Sequence, residues 1–191
     1  MSLRTIVKVS HISNLSDARY CAGMGVELLG FRVTPGSENF ISPQVFQDIR
    51  GWIAGPRIIA EVYGLKDLQQ LNTIRGDYGP DYLEMTFSEF SKFRQVLPLP
   101  AIVHFPEPRE MLSVAGDKMI AYAVVDAENG CSDIANAGFP VLVNVRSTGE
   151  LDQKLSQGCF QGVVLDGPQQ LRPGVTSYEQ LGSILEALEE D

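Results

Sequence analysis

Residues 6–31 read IVKVSHISNLSDARYCAGMGVELLGF. Ile6 to Val9 form a short apolar run rich in β-branched residues, the signature of a buried strand. Ser10-His11-Ile12-Ser13 follow as a turn. Asn14-Leu15-Ser16-Asp17 then supply a helix cap and an acid in the first helical turn. The helical stretch stops at glycines, and Glu27 to Phe31 opens a second apolar run. The segment is therefore one βα unit followed by the next strand.

The same alternation continues to the end of the chain. Strands are expected at 5–10, 27–33, 57–62, 81–85, 99–104, 118–125, 140–145 and 161–165. Helices are expected at 15–24, 43–53, 65–76, 88–96, 107–114, 131–137, 148–157 and 177–189, with the signal between 106 and 117 weak enough for a single turn. Ser42-Pro43 is a second clear helix start, since proline suits the first helical position. Near-continuous apolar strands fit a parallel sheet buried on both faces better than an antiparallel sheet wet on one side. Eight strand–helix units in uninterrupted series predict an α/β fold, a small (β/α)8 TIM barrel with short loops. An open doubly wound sheet is the alternative. No linker, low-complexity tract or shift in composition divides the chain, so residues 1–191 are expected to form one domain.

Composition narrows the function. A formal net charge of -9 is a poor match for nucleic acid or an anionic membrane surface, though it does not exclude a phosphorylated small molecule. The cysteines Cys21, Cys131 and Cys159 match no metal spacing, and their odd number argues against a disulfide framework. Free thiols in a reducing cytoplasm are the expectation. With two histidines in the chain, His11 and His104, a His-rich metal site is not expected, and no cofactor or metal is implied. No apolar run reaches the roughly 18–20 residues of a membrane span. The start MSLRT lacks the apolar core of a signal peptide.

A barrel of this kind carries its active site at the C-terminal ends of the strands. Those ends hold Ser10-His11, Arg32 with Thr34 and the loop 35–43, Glu61, Glu84 with Thr86, His104, Asp126 with Glu128, Asn144 with Arg146, and Asp166-Gly167. Strand ends meet water and are polar in any barrel, so no one of these positions is decisive alone. Lys8 is more informative. It interrupts an apolar strand and needs a partner such as Glu61, Glu84 or Asp126, because an unpaired buried ammonium is costly. Alternation puts Lys8 and Ser10 on one face of the strand and Val9 and His11 on the other. Asp126 suits a general acid, and equally a turn aspartate. His11 or His104 could serve as a base. Cys131 opens a helix, where a thiol pKa can fall, but nothing else marks it as reactive.

The stretch VKVSHISNLSDAR resembles the opening motif of the phosphoribosylanthranilate isomerase family, in which Lys, Cys-Gly-Ile-Thr, Asn and Asp-Ala follow in order. Lys8, Ile12, Asn14, Asp17 and Ala18 match. LLGFRVTPGSENFISP is similar to the family's next segment through Gly30, Phe31, Pro35, Ser37, Ile41 and Ser42. The departures fall on the chemistry. The family's catalytic cysteine is Ser10, the glycine after it is His11, and the arginine that contacts the substrate carboxylate is Asn39. Asp126 matches the general acid. Glu84-Met85-Thr86-Phe87 stands where the family has Gln-Leu-His-Gly. The glycine-rich phosphate loops are replaced by the segments around Asn144, Arg146 and Asp166-Gly167, where an aspartate would repel a phosphate.

The resemblance implies an Amadori rearrangement of a phosphorylated aminosugar in tryptophan biosynthesis. That reaction needs a base at ribose C2 and an acid at the ring oxygen. A thiol is readily ionised, whereas a serine hydroxyl is no base without an activating partner. The expected site therefore has Asp126 and Ser10 as catalytic residues. Lys8, His11, Asn39, Glu84, Thr86, Asn144, Arg146, Asp166 and Gly167 are expected to bind substrate. The expected activity is weak or lost, and the alternative is a degenerate barrel that binds or regulates through a small molecule. A third reading is a relative of the indole-glycerol-phosphate or thiamine-phosphate synthases, against which the missing C-terminal glycine loops count. The expected partner is a small molecule, phosphorylated in the family's own case, with no nucleic acid or membrane, and the chain a monomer or homodimer.

Overall fold

The computed structural model describes residues 2–126, 131–172 and 175–190. Eight parallel strands close a barrel in chain order: β1 (Ile6–Ser10), β2 (Leu28–Arg32), β3 (Arg57–Glu61), β4 (Tyr82–Thr86), β5 (Ala101–Phe105), β6 (Ile120–Val125), β7 (Val141–Asn144) and β8 (Gly162–Asp166). β8 pairs back to β1, with Ser10 opposite Asp166. The helices are α1 (Leu15–Gly23), α2 (Pro43–Arg50), α3 (Leu68–Tyr78), α4 (Phe87–Phe93), α5 (Cys131–Ala135), α6 (Thr148–Leu155) and α7 (Glu179–Ala187). The fold is thus the small (β/α)8 barrel expected from the sequence.

Local chemistry sets the helix boundaries. Asn14 accepts from the Asp17 amide at the start of α1, and Ser42 accepts from Val45 ahead of Pro43 in α2. α3 begins later than expected because Asp67 is its cap, and it runs on to Gly79, whose φ of 53° ends it. The weak segment between β5 and β6 is a 3₁₀ helix, Pro108–Val114, in place of an α-helix. A hairpin, β9 (Gln169–Arg172) with β10 (Val175–Ser177), follows β8 where a loop was expected. Strands of four and three residues are too short to give a periodic signal.

Two cores hold the barrel. The outer one lies between sheet and helices and includes Val7, Val9, Phe31, Phe46, Phe90 and Leu185. The inner one is formed by Leu28, Ile59, Ile102, Val124, Leu142 and Val164, with Tyr82 and Tyr122 packed against it. Each such buried side chain contributes about 1.5–3 kcal/mol relative to exposure. Towards the C-terminal ends of the strands the interior changes from aliphatic to charged at Lys8, Glu61 and Glu84, all buried. Gly30 makes that change possible, since a Cβ there would lie 2.1 Å from Glu61 Oε1.

One expectation is corrected. Cys131 and Cys159 are not free thiols but form a disulfide, with Cα atoms 5.5 Å apart across a sequence separation of 28. They meet because successive β/α units are neighbours, so the start of α5 lies beside the turn that follows α6. Cys21 stays free and buried, its thiol pushed up to about 12 by burial first and the Asp17 charge second. Among the described residues no helix is long and apolar enough to cross a membrane.

Candidate active site

The site is built upward from Lys8. Its ammonium is fully buried, 2.8 Å from Glu84 Oε2 and 3.3 Å from Glu61 Oε1, and it donates to Ser10 Oγ. The contact with Glu84 is an ion pair outside hydrogen-bond geometry. Burial alone would lower the Lys8 pKa, but the charges of Glu84 and Glu61 outweigh it and raise it above the usual lysine value. Burial alone would raise Glu84. The Lys8 charge, then the hydrogen bond from His104, hold it well below the ordinary carboxylate range.

Two arms rise from this cluster. On one, Arg32 Nε donates to Glu61 Oε2 at 3.1 Å, and the His11 amide donates to Glu61 Oε1 at 3.3 Å. Arg32 Nη2 also lies 2.8 Å from His11 Nε2. A guanidinium only donates, so Nε2 accepts and the ring proton sits on Nδ1, which faces Asp166 Oδ1 at 3.4 Å. The approach of His11 is the main reason Asp166 lies below its usual value. On the other arm, Glu84 Oε1 accepts from the Tyr63 hydroxyl and from His104 Nε2, each at 2.7 Å. Burial, then the Glu84 charge, pushes the Tyr63 hydroxyl far up. The Arg32 guanidinium lies 5.0 Å from the Tyr63 ring centre and joins the arms.

At the rim, Asn144 Nδ2 donates to Asp126 Oδ1 at 2.6 Å, and Lys154 holds the Asn144 carbonyl at 2.7 Å. The Arg146 backbone is fixed at both ends, its amide donating to Glu150 and its carbonyl accepting from Gln180. Its guanidinium has no hydrogen bond or ion pair among the described residues. The groups enclose a cavity of about 330 Å³, within the range of small-molecule sites.

Of the residues expected from the sequence, Ser10, His11, Glu84, Thr86, Asp126, Asn144, Arg146 and Asp166 line this cavity, and Lys8 lies directly beneath. Gly167 contributes backbone, donating its amide to the Ser10 carbonyl at 2.9 Å. Thr86 lines the wall with its hydroxyl committed to the cap of α4, where it donates to Glu89 and accepts from the Glu89 amide. Asn39 is exposed on the loop after β2 and does not line the cavity. Glu128 lies outside the described residues.

His11 departs from the alternation that would turn it away from Ser10. Its φ is 60°, and this left-handed residue brings the ring to the mouth. Glycine adopts that conformation freely, and the resembling family carries glycine there; histidine in it costs about 1–3 kcal/mol. The residue not singled out in the sequence is Tyr63. Continuing the inward alternation two residues beyond Glu61 would have found it.

In and beneath the cavity, the cations Lys8, Arg32 and Arg146 meet the carboxylates Glu61, Glu84, Asp126 and Asp166. With neutral imidazoles and all four carboxyl groups ionised the site has one net negative charge, and with a proton on Asp126 it has none. Among the described residues no group of three or more His, Cys, Asp or Glu side chains could hold a metal.

No protein-family model matches the sequence, and no curated protein matches it in sequence. The fold, by contrast, is that of phosphoribosylanthranilate isomerase. The Thermus thermophilus enzyme superposes with a TM-score of 0.75 at 18% identity, covering 96% of this chain and 98% of its own. The Pyrococcus furiosus enzyme gives 0.73 at 12% identity, covering 95% and 97%. A phosphoribosylanthranilate isomerase in complex with reduced 1-(o-carboxyphenylamino)-1-deoxyribulose 5-phosphate gives 0.74 at 13% identity, covering 95% and 97%. These identities go with a divergent chain on a shared fold.

Two predictions follow from the cluster. Replacing Lys8 by Met leaves the buried Glu84 without its lysine and Glu61 with Arg32 alone, and should cost about 3–5 kcal/mol in urea unfolding; a loss below about 1 kcal/mol would show that the cluster is not ionised as described. The pH profile of thermal unfolding should fall off on both sides. Glu84 is depressed in the fold, so its contribution is complete above about pH 4.3 and is lost as pH falls. Lys8 is raised, so its contribution is complete below about pH 10.4 and is lost as pH climbs past that value.

Proposed function

We propose that this barrel binds a small polyhydroxylated molecule at its C-terminal mouth and isomerises it by moving protons between carbon and oxygen. This is the Amadori-type chemistry of phosphoribosylanthranilate isomerase, at a rate far below that of a site with the family's thiol. One observation carries the reading: Asp126 shares a cavity with Ser10 and both imidazoles, its carboxylate steadied by Asn144. A carboxyl group so held can deliver a proton to a ring oxygen without searching for its orientation. The ligand class is supported by the isomerase that binds a phosphorylated aminosugar analogue on the same fold. The reading takes residues 1–191 as one barrel domain.

The low rate has a structural cause. Ser10 Oγ accepts a hydrogen bond from the Lys8 ammonium, which engages one of its two lone pairs and withdraws basicity from the oxygen. Loss of a base costs about 10²- to 10⁴-fold. A second reading, a barrel that binds its ligand without turning it over, is favoured by Asp166 at the rim. Its charge opposes a phosphate there, and Arg146, whose guanidinium has no ion pair among the described residues, is the cation placed to offset it.

Turnover of phosphoribosylanthranilate, followed by loss of its fluorescence, separates the readings. The parent should be slow but measurable, Asp126→Asn should abolish the rate, and Ser10→Cys should raise it. No turnover in any of the three would leave the binding reading.

A further inference from the structure

We propose that His104, held by Glu84, is the proton acceptor of this mouth and supplies the base that Ser10 does not. The inference rests on the isomerase reading above and names the group that would make it work. The two histidines of the chain line the same cavity with nearly equal exposure, 32% for His11 and 29% for His104. Their nitrogens are used differently. His11 has Nε2 on Arg32 at 2.8 Å and Nδ1 facing the Asp166 carboxylate at 3.4 Å. His104 has only Nε2 engaged, on Glu84 Oε1 at 2.7 Å. Glu84 is a buried carboxylate, so it can only accept, and the nitrogen facing it carries the proton. In the neutral imidazole Nδ1 is then the acceptor nitrogen, without a partner among the described residues.

A carboxylate that fixes one imidazole nitrogen so that the other works as a base is the logic of a nucleophile–base–orienter array. Glu84 is suited to the role because it is itself fixed, by Lys8 and by the Tyr63 hydroxyl. The Tyr63 ring meets the His104 ring edge-on with centres 5.5 Å apart, which restricts rotation of the imidazole. His104 lies on β5 and Asp126 follows β6, the adjacent strand, so base and acid border the same side of the mouth.

The chemistry balances without a co-reactant. Asp126 gives its proton to the ring oxygen of an aldosylamine, and the C1–O bond breaks to leave an iminium. His104 Nδ1 takes the C2 proton, and the C–H electron pair forms the C1–C2 double bond of an enaminol. His104 returns its proton to C1 while the C2 hydroxyl proton passes to Asp126, giving the ketose. Each group ends as it began. His104 is a catalytic residue in this scheme, and Glu84 and Tyr63 position it.

His104→Gln keeps a donor for Glu84 but offers no basic nitrogen. It should lower kcat for phosphoribosylanthranilate by about 10²-fold or more, with KM and melting temperature little changed. Parent turnover with His104→Gln within about three-fold of it would overturn the proposal and leave the isomerase reading intact. A parent without turnover would overturn the isomerase reading, and a second measurement then decides on His104. Diethyl pyrocarbonate attacks unprotonated imidazole nitrogens, and peptide mass analysis distinguishes the two sites. Faster modification of His104 than of His11, at equal exposure, supports an open acceptor nitrogen. Equal rates, or His11 first, would overturn it.

Discussion

A lysine ammonium buried in the centre of a barrel must be neutralised where it stands, and most of the upper half of this molecule follows from that need. Lys8 is met by Glu61 and Glu84, and each carboxylate must then satisfy its remaining oxygen positions inside the protein. Glu61 recruits Arg32 and the His11 amide; Glu84 recruits Tyr63 and His104. The space for this comes from Gly30, where any side chain would strike Glu61. The result is a neutral quartet of Lys8, Arg32, Glu61 and Glu84 roofing the inner aliphatic core and flooring the cavity.

The two arms have opposite chemical characters. The Glu61 arm is closed: guanidinium, imidazole and Asp166 form a chain in which Arg32 meets His11 Nε2 and Asp166 faces Nδ1. Backbone strain at His11 supports that chain, because a left-handed φ is what brings the ring within reach of Arg32. The Glu84 arm is open: it ends in an imidazole with one nitrogen unpartnered among the described residues. Ser10, at the point where the resembling family places its reactive thiol, is drawn into the floor by Lys8 and becomes part of the support.

The barrel was legible because its evidence is repetitive. Eight short apolar runs, separated by capped helices such as those opening at Asn14 and Ser42, leave few topologies. The strand-end rule then located most of the cavity lining, including Ser10, Asp126, Asn144 and Asp166. What the sequence hid depended on three-dimensional neighbours. Nothing local shows that His11 takes a positive φ, that Tyr63 reaches Glu84 on the adjacent strand, or that Cys131 meets Cys159. The β9–β10 hairpin and the 3₁₀ segment after β5 were missed or weakly read because neither is long enough to show a period. Asn39 was selected by its place in a motif, and the loop that carries it turns it to solvent.

The most direct test of the account is the protonation pattern of its two histidines. Nitrogen-15 NMR of the imidazoles at pH 8, above the ordinary range for protonation, reports which nitrogen carries the hydrogen. The Lys8–Glu61–Glu84 floor predicts opposite tautomers: Nε2–H at His104, facing Glu84, and Nδ1–H at His11, facing Asp166. The same tautomer at both residues, or rapid averaging at His104, would contradict a floor that fixes one imidazole closed and the other open.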